Sequence, residues 1–286
     1  MGRRCMPTIR EQVGAYQAAN YQVRASGASG RRVGRVDLVG AGPGDPMLLT
    51  LKAMESIEQA DVIVYDRLVS KEIRARFPAG TQAMYVGKAK GEHSASQEAI
   101  NNLLVELAWQ GKAVCRLKGG DAFIFGRGSE EMLALKAADV PVEVVPGITA
   151  AAGCTSYAGI PLTHRGYSQG CTFVTGHAER SLDLNWHALA QLDHTLVFYM
   201  GVSKSAMIRD KLVAGGADPN TPVALVEKGC CPEQRTVTGL LQYLPELVKR
   251  HQVVSPALIV VGEVVALSDQ LQWVSHVAEQ QLQLSA

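Results

Sequence analysis

The stretch RLKGGDAFIFGRGSEE, residues 116–131, combines glycines and charged side chains that could bind a charged small molecule. The pair Gly119-Gly120 permits backbone conformations that other residues avoid and puts no side chain between the chain and a ligand. Asp121 adds a carboxylate, which suits an ammonium or hydroxyl group rather than a phosphate. Arg127, between two glycines, presents a single guanidinium. The stretch therefore predicts a site with one acidic and one basic group.

Two acids, Glu130 and Glu131, follow where the pattern predicts the start of a helix. The first turn of a helix favours negative charge, so this position alone explains both residues. We expect Glu131 to be an ordinary residue of that helix start. Glu130 is expected to assist Arg127.

A second glycine-rich loop, VDLVGAGPGDP at residues 36–46, begins like a dinucleotide-binding loop and then departs from it. Pro43 has no N–H to donate to a phosphate oxygen, and the third glycine falls one place early, at Gly44. Asp45-Pro46 is typical of an N-cap aspartate followed by proline at the first helical position. Such a carboxylate occupies the free amides and repels an anion. The loop therefore predicts close backbone approach to a ligand that carries no phosphate there.

The elements that must hold these loops are short apolar strands alternating with helices, from Val36 onward. This alternation predicts a two-domain α/β fold with mixed, mostly parallel sheets. The predicted strands are VDLVG, DVIVYD, QAMYVG, AVCRL and VEVVPG in the first half, and CTFVTGH, HTLVFYMG, PVALVEKG and ALIVVGEV in the second. The predicted helices are 46–60, 95–110, 129–138, 186–191, 203–214 and 238–250.

The domain boundary is predicted at the turn Val145-Pro146-Gly147. The domains are then 35–146 and 147–270, followed by a C-terminal tail at 271–286. Residues 1–34, rich in Arg and nearly free of acids, are expected to form a mobile extension. An organelle transit peptide and a polyanion-binding arm are the alternatives for this segment.

Several predicted strand ends carry glycines and charges together. They are Asp66-Arg67, Gly87-Lys88, Tyr199-Met200-Gly201 and Glu227-Lys228-Gly229. Ligands of open α/β sheets bind beyond the carboxyl ends of the strands. We therefore expect the chemistry at these ends.

The composition is that of a soluble globular protein. Of 286 residues, 47% are hydrophobic and 19% charged, and the net charge of +1 gives no global field that would attract nucleic acid. No apolar stretch approaches the roughly 20 residues that span a bilayer, so no membrane association is expected. Six cysteines include no C-x-x-C pair, which favours free thiols in a reducing cytoplasm over a disulfide framework. No metal-ligand spacing is present, and no metal is expected.

Seven ordered motifs carry a resemblance to a known family: GAGPGDP, YDRLVS, VGK, RLKGGDAFIFGRGSEE, VVPGITAA, AGIPLTHR and LVFYMG. Over residues 36–267 the chain resembles the tetrapyrrole methylases, and within them the uroporphyrinogen-III C-methyltransferases. Two departures are Ala122, where the family usually has proline, and Ser129, where it commonly has Gly or Ala. Neither departure removes a functional group.

The resemblance implies two α/β domains that face an active-site cleft and bind S-adenosyl-L-methionine, leaving S-adenosyl-L-homocysteine as product. This cofactor has a sulfonium and no phosphate, in keeping with the opening loop. The implied substrate is uroporphyrinogen III, methylated at C2 and C7 to precorrin-2 for siroheme or cobalamin-type biosynthesis. A homodimer is implied as well. No dehydrogenase or chelatase segment is visible in this chain, so those later steps are expected from other proteins.

Residue roles follow from the resemblance motif by motif. The cofactor site is implied to include Pro43, Gly119, Gly120, Asp121, Ile124, Thr149, Ala150, Met200 and Gly229. Uroporphyrinogen III bears eight carboxylates, and the cations expected to meet them are Arg67, Lys88, Lys90, Arg127 and Arg165, with His164 as a neighbouring substrate contact.

Proton removal from the macrocycle has competing candidates. The family treats the position of Asp66 as proton acceptor and that of Lys88 as donor, while Arg127 could position the substrate or take the proton. The pKa of an arginine lies far above neutral pH, which makes it a poor base, so we expect Arg127 to anchor the substrate with help from Glu130. Asp66 could instead be an ordinary strand-end acid that caps a turn or pairs with Arg67.

Three other functions remain open at this point. Asp66 lies about 20 residues past the glycine loop, where a nicotinamide-dependent dehydrogenase has its ribose-binding acid, although Pro43 and Asp45 argue against that class. A nucleic-acid-binding protein could use the Arg-rich N terminus. A sibling methylase could act on precorrin-2 or a later corrinoid.

Overall fold

The computed structural model describes residues 33–87, 96–176 and 184–274. Lys88 and Lys90, nearly all of the predicted extension and most of the predicted C-terminal tail lie outside the described residues. Chain contacts divide the protein into two compact units, Met1–Ile148 and Thr149–Ala286. The division falls just after the turn at which the sequence predicts the boundary.

The first unit contains a five-stranded sheet in the order β3-β2-β4-β1-β5, with every pairing parallel. Its strands are β1 (Arg35–Gly40), β2 (Val62–Tyr65), β3 (Gln82–Tyr85), β4 (Ala113–Lys118) and β5 (Val142–Val145). Its helices are α1 (Leu51–Glu58), α2 (Lys71–Arg74), α3 (Gln97–Trp109) and α4 (Gly128–Ala137). Apolar side chains are buried in two clusters, one involving α3 and α4 and the other α1 and α2. Both clusters include residues of the strands, as expected for a parallel sheet covered by helices.

The predicted helix at 46–60 is divided in the structure. Asp45 caps a short 3-10 helix at Pro46–Leu48, its carboxylate accepting the Met47 N–H at 2.8 Å. Thr50 then caps α1 by accepting the Ala53 N–H at 3.0 Å. The predicted capping aspartate is therefore confirmed, but the single long helix is wrong because a second capping residue starts a new helix.

The second unit also has a five-stranded sheet, in the order β6-β7-β10-β8-β9, but it is mixed. Only β6 and β7 pair in parallel, and the other three pairings are antiparallel. The strands are β6 (Gly170–Thr175), β7 (His194–Tyr199), β8 (Pro222–Glu227), β9 (Arg235–Leu240) and β10 (Ala257–Val261). The helices are α5 (Ala150–Tyr157), α6 (Trp186–Gln191), α7 (Ser205–Ala214), α8 (Leu244–Arg250) and α9 (Ser268–Leu271). Its core centres on large buried side chains such as Phe198, Ile208, Leu225 and Ile259.

The predicted helix at 238–250 is wrong at its start, because residues 235–240 form β9. This edge strand pairs antiparallel with β8 over its whole length. A Cβ on Gly239 would lie 2.5 Å from Leu247 Cδ1, so the glycine lets α8 pack closely against the strand. The buried apolar residue in β9 is Val237. A single buried position does not make the alternation of apolar and polar residues from which a strand is predicted.

None of the helices in the described residues is long and apolar enough to cross a membrane. The five cysteines within the same residues form no disulfide, in agreement with the expectation of free thiols.

Candidate functional site

The opening loop and the Gly119-Gly120-Asp121 loop are joined by hydrogen bonds in the first unit. They follow β1 and β4, which are neighbours in the sheet. Gly42 N–H donates to Gly120 O at 3.1 Å, and Gly120 N–H donates to Gly42 O at 2.7 Å. Both glycines have positive φ, +73° and +72°, which favours glycine at these positions. The two motifs that the sequence singled out therefore form one backbone surface, which also includes half-buried Pro43.

A third loop, the Pro146-Gly147 turn after β5, meets the same surface. A Cβ on Gly147 would lie 2.5 Å from Gly120 O and 2.7 Å from Gly40 Cα, so the three loops approach too closely for side chains. Asp121 fixes this arrangement, because its two carboxylate oxygens accept Phe123 N–H at 2.8 Å and Gly147 N–H at 3.0 Å. Close packing between the loops therefore explains some of the glycines that we expected to be needed for ligand binding.

Asp66 follows β2, directly beside β4 in the sheet. Its Oδ1 accepts Leu68 N–H at 3.0 Å, and its Oδ2 lies 3.7 Å from Arg116 Nη2. The side chain is 25% exposed, which leaves the carboxylate reachable from outside. Asp66 therefore caps a turn, which is one of the alternatives that the sequence left open. Its cationic neighbour in the structure is Arg116 rather than the exposed Arg67.

Arg127 and Glu130 form the predicted pair at the start of α4. Arg127 Nε and Nη2 donate to the two carboxylate oxygens of Glu130 at 2.8 and 2.7 Å. Arg127 lies between two glycines and has a φ of +57°. The second of these glycines, Gly128, packs against Ala122 O. Its side chain is 51% exposed, so the guanidinium is held in one orientation and still faces outward.

Glu131, which the sequence analysis treated as an ordinary helix-start acid, is fully buried. Its Oε1 accepts Arg116 Nε at 3.1 Å and Lys118 Nζ at 2.9 Å. Burial lowers the pKa of Lys118, and the nearby Arg116 lowers it further, whereas Glu131 raises it. The expectation that Glu131 is an ordinary helix-start acid is wrong, because its carboxylate is buried and accepts from both Arg116 and Lys118.

A sequence signal for this cluster exists within β4. Arg116 and Lys118 are two residues apart in a strand and so share one face of the sheet. Two cations on one face of a buried central strand require an anion beside them. Glu131 supplies it because α3 and α4 cover that face.

In the second unit, the start of α5 at Thr149 and Ala150 is held beside Tyr199, the residue that precedes Met200. The Tyr199 hydroxyl lies 2.6 Å from Thr149 Oγ1 and accepts Ala151 N–H at 2.9 Å, which ties the start of α5 to the end of β7. Burial raises the pKa of Tyr199, so the phenol stays protonated and available as a donor. Met200 follows with a φ of +55° and is 48% exposed.

Gly229 lies against the same helix α5. A Cβ at this position would lie 2.2 Å from Cys154 Sγ, so only glycine fits. Its neighbours Lys228 and Cys230 both have positive φ, of +49° and +58°. Sparsely populated backbone conformations cluster at functional sites, and here three occur just beyond the ends of β7 and β8.

His164 and Arg165 lie in an exposed turn after α5. His164 Nδ1 is 2.8 Å from Arg165 O, and its ring packs edge-to-face on Tyr167 with centroids 5.1 Å apart. They line an open depression of about 420 Å³ together with Thr163, Gly166, Ser168 and Gln169.

Within the described residues, no three His, Cys, Asp or Glu side chains are grouped so that they could hold a metal ion.

The chain is similar to known proteins in both sequence and fold. Residues 35–245 match the family described as Tetrapyrrole (Corrin/Porphyrin) Methylases. Siroheme synthase 2 of Cronobacter sakazakii is 54% identical over 242 residues, which are 85% of this chain and 52% of that protein. Siroheme synthase of Ruthia magnifica subsp. Calyptogena magnifica is 51% identical over 256 residues, 89% of this chain and 54% of that protein. The chain thus spans about half the length of the curated relatives it matches.

Among solved structures, the uroporphyrin-III C-methyl transferase of Thermus thermophilus complexed with S-adenyl homocysteine is similar, with a TM-score of 0.71 and 42% identity. The match covers 82% of this chain and 100% of that one. The motifs, the two α/β units and these similarities lead to one conclusion: the chain belongs to the tetrapyrrole methylase family.

Proposed function

We propose that this chain is an S-adenosylmethionine-dependent C-methyltransferase that methylates uroporphyrinogen III at C2 and C7 to give precorrin-2. The observation that carries the proposal is the 42% identity to a uroporphyrin-III C-methyl transferase over the full length of that protein. The names of the curated relatives favour siroheme as the product to which precorrin-2 leads. A homodimer and a cytoplasmic location stay predictions.

The residues present fit a sulfonium cofactor. The opening loop offers Pro43, which has no N–H, and the helix-capping carboxylate of Asp45, and together they disfavour a phosphate. Met200, which is 48% exposed, offers apolar surface for the adenine, and Thr149 with Ala150 offers polar groups at a helix start in the same unit. Ile124, in the first unit, stays a predicted cofactor residue. When bound, S-adenosylmethionine would supply the methyl group as an electrophile. Pro43 and the Asp45 carboxylate at this loop also favour this cofactor over the nicotinamide alternative.

The substrate's carboxylates require cations that are exposed and oriented. Arg67 and Arg165 are exposed, one in each unit. Arg127 is held by both oxygens of Glu130 while keeping half of its surface exposed. A guanidinium fixed in this way loses little conformational freedom on binding a carboxylate. We therefore assign substrate anchoring to Arg127, assisted by Glu130, with His164 as a further contact.

We assign proton removal to Asp66. A general base must be within reach of the proton it takes, and this carboxylate is partly exposed and held in place by Leu68 N–H and Arg116. Arg127 is disfavoured as a base because its Nε and Nη2 both donate to the Glu130 carboxylate, which commits the guanidinium to that pair. Lys88 keeps its predicted role as proton donor, and it lies outside the described residues.

Anaerobic incubation of the full chain with S-adenosylmethionine and either uroporphyrinogen III or precorrin-2 tests the proposal. We expect S-adenosylhomocysteine to form with uroporphyrinogen III and not with precorrin-2. Turnover of precorrin-2 alone would assign the chain to a sibling methylase. Turnover of neither, despite binding of S-adenosylhomocysteine, would reject the substrate and keep the cofactor.

A further inference from the structure

A buried ion cluster beneath the strand ends has no role in the function proposed so far. We call Arg116, Lys118 and Glu131 the β4 ion cluster. Their side chains are 3%, 5% and 0% exposed, and Glu131 Oε1 accepts from both cations. Gln97 Nε2 donates to the same oxygen at 3.2 Å. Glu131 Oε2 is buried and has no hydrogen-bond partner among the described residues.

The cluster reaches the predicted base through Arg116. Its Nη1 donates to Val64 O at 3.4 Å and to Leu117 O at 3.3 Å, which fixes the guanidinium against β2 and β4. Its Nη2 then lies 3.7 Å from Asp66 Oδ2. Arg116 thus has Glu131 on one side and the partly exposed Asp66 on the other. With Asp66 included, the group contains two positive and two negative charges.

The cluster also adjoins the predicted substrate anchor. Glu131 lies in the first turn of α4, and its N–H donates to Arg127 O at 3.3 Å. Glu130, the preceding residue, holds the Arg127 guanidinium. One buried carboxylate is therefore connected to both groups that compete for the proton-handling role.

Stability alone is a weak explanation for such a cluster. Burying charged groups carries a desolvation penalty that their mutual attraction often fails to exceed, and apolar replacements of buried ion pairs are frequently neutral or stabilising. A fixed guanidinium beside a reactive carboxylate instead serves orientation, because geometry must be right before proton transfer is efficient.

We propose that Arg116 and Glu131 are positioning residues that orient the carboxylate of Asp66. Glu131 holds Arg116 through Nε, and Arg116 directs Nη2 toward Asp66 Oδ2. This inference rests on the proposed function, in which Asp66 takes the proton from the macrocycle.

A double-mutant cycle tests it. Glu131→Gln and Arg116→Lys are each made in the wild-type and in the Asp66→Asn background, and single-turnover methylation of uroporphyrinogen III is measured. In the wild-type background we expect each change to lower the rate by about tenfold or more, as loss of an oriented catalytic group does. In the Asp66→Asn background we expect no further loss, because residues that act through Asp66 cannot act once it is neutral.

The matched control is Asp37→Asn, which neutralises a buried acid of the same sheet outside the site. It should leave the rate unchanged. Binding of S-adenosylhomocysteine and thermal unfolding report folding for every variant. Arg116→Lys keeps the cluster's charge, so it decides the question if Glu131→Gln does not fold.

Losses that multiply in the Asp66→Asn background, or unchanged rates in a folded Arg116→Lys variant, would overturn the positioning role. Full activity of Asp66→Asn would also overturn it while leaving the methyltransferase proposal intact. Absence of methylation by the wild-type protein would count against the proposed function itself.

Discussion

At the scale of single residues, the two candidates for handling the proton differ in their surroundings. Asp66 is partly exposed with a cation beside it, whereas Arg127 is held by both oxygens of Glu130. We predict that Asp66→Asn lowers kcat by about 10²–10⁴-fold, the usual contribution of a general base. The affinity for S-adenosylhomocysteine should not change. Steady-state kinetics with calorimetric titration measures both.

Arg127→Ala is predicted to act differently. Loss of a charge-assisted contact to a substrate carboxylate should raise KM by about tenfold or more and lower kcat less than Asp66→Asn does. Arg250→Ala removes an exposed arginine outside the site and is the control. Near-normal turnover of Asp66→Asn together with an inactive Arg127→Ala would reverse the two assignments.

Asp37 gives a residue-scale prediction about stability. Burial on β1 raises the pKa of this carboxyl, although Arg35 and Ser56 oppose the effect. A carboxyl with a raised folded-state pKa destabilises the fold once pH exceeds that pKa, and the effect vanishes below the unfolded value of about 3.9. We predict that Asp37→Asn raises Tm at pH 7 by about 2–4 °C, as about 1 kcal/mol does in a domain of this size.

The pH dependence of Tm tests whether burial of the Asp37 carboxylate causes the predicted rise in Tm. The difference in Tm between Asp37→Asn and the wild type should shrink as pH falls toward about 4, because the wild-type carboxyl then becomes protonated in the fold. A difference that stays constant across this range would show that charge burial is not its origin.

At the scale of elements, Tyr199 links the start of α5 to the end of β7. Tyr199→Phe leaves the Ala151 N–H and the Thr149 hydroxyl without this partner. Such a loss typically amounts to about 1–3 kcal/mol. Because Thr149, Ala150 and Met200 are proposed cofactor residues, we predict that the Kd of S-adenosylhomocysteine rises by about tenfold.

The exposed Tyr243 provides the matched control for that substitution. Tyr243→Phe should leave the same Kd unchanged. An unchanged Kd in Tyr199→Phe would mean that the start of α5 is positioned by its packing alone.

The elements also show what the sequence could predict. Strands such as VIVY and ALIVV are continuous apolar runs, which a buried strand requires, and they were predicted correctly. The strand RTVTGL was missed because an edge strand beside a helix needs few apolar residues. The contact of Gly40, Gly120 and Gly147 depends on β1 lying between β4 and β5, an order that local patterns do not contain.

The same limit applies to the candidate site. Glycine-rich loops and strand-end charges identify Asp66, Asp121 and Arg127 because those residue types are unusual at those places. Glu131 was missed because an acid in the first turn of a helix has an ordinary explanation there. Only the register of β4 with its covering helices shows that Glu131 balances two buried cations.

At the scale of the whole molecule, we expect charge to matter for the proposed substrate and not for the cofactor. The net charge is only +1, so the proposed substrate, which bears eight carboxylates, would have to be attracted by local arginines. Exposed charges are screened by salt over about 10 Å at 0.1 M. We predict that KM for uroporphyrinogen III rises severalfold between about 0.05 and 0.5 M salt, while the Kd of S-adenosylhomocysteine changes little. Equal salt dependence of both would contradict this division.

The proposed reaction is defined by the number and position of the methyl groups transferred to uroporphyrinogen III. The most direct measurement uses S-adenosylmethionine labelled with ¹³C in its methyl group, with anaerobic turnover of uroporphyrinogen III followed by mass spectrometry and ¹³C NMR. We predict a product with two labelled methyl groups, at C2 and C7, preceded by a singly methylated intermediate. A product that stops at one methyl group, or carries label at other carbons, would contradict the assignment.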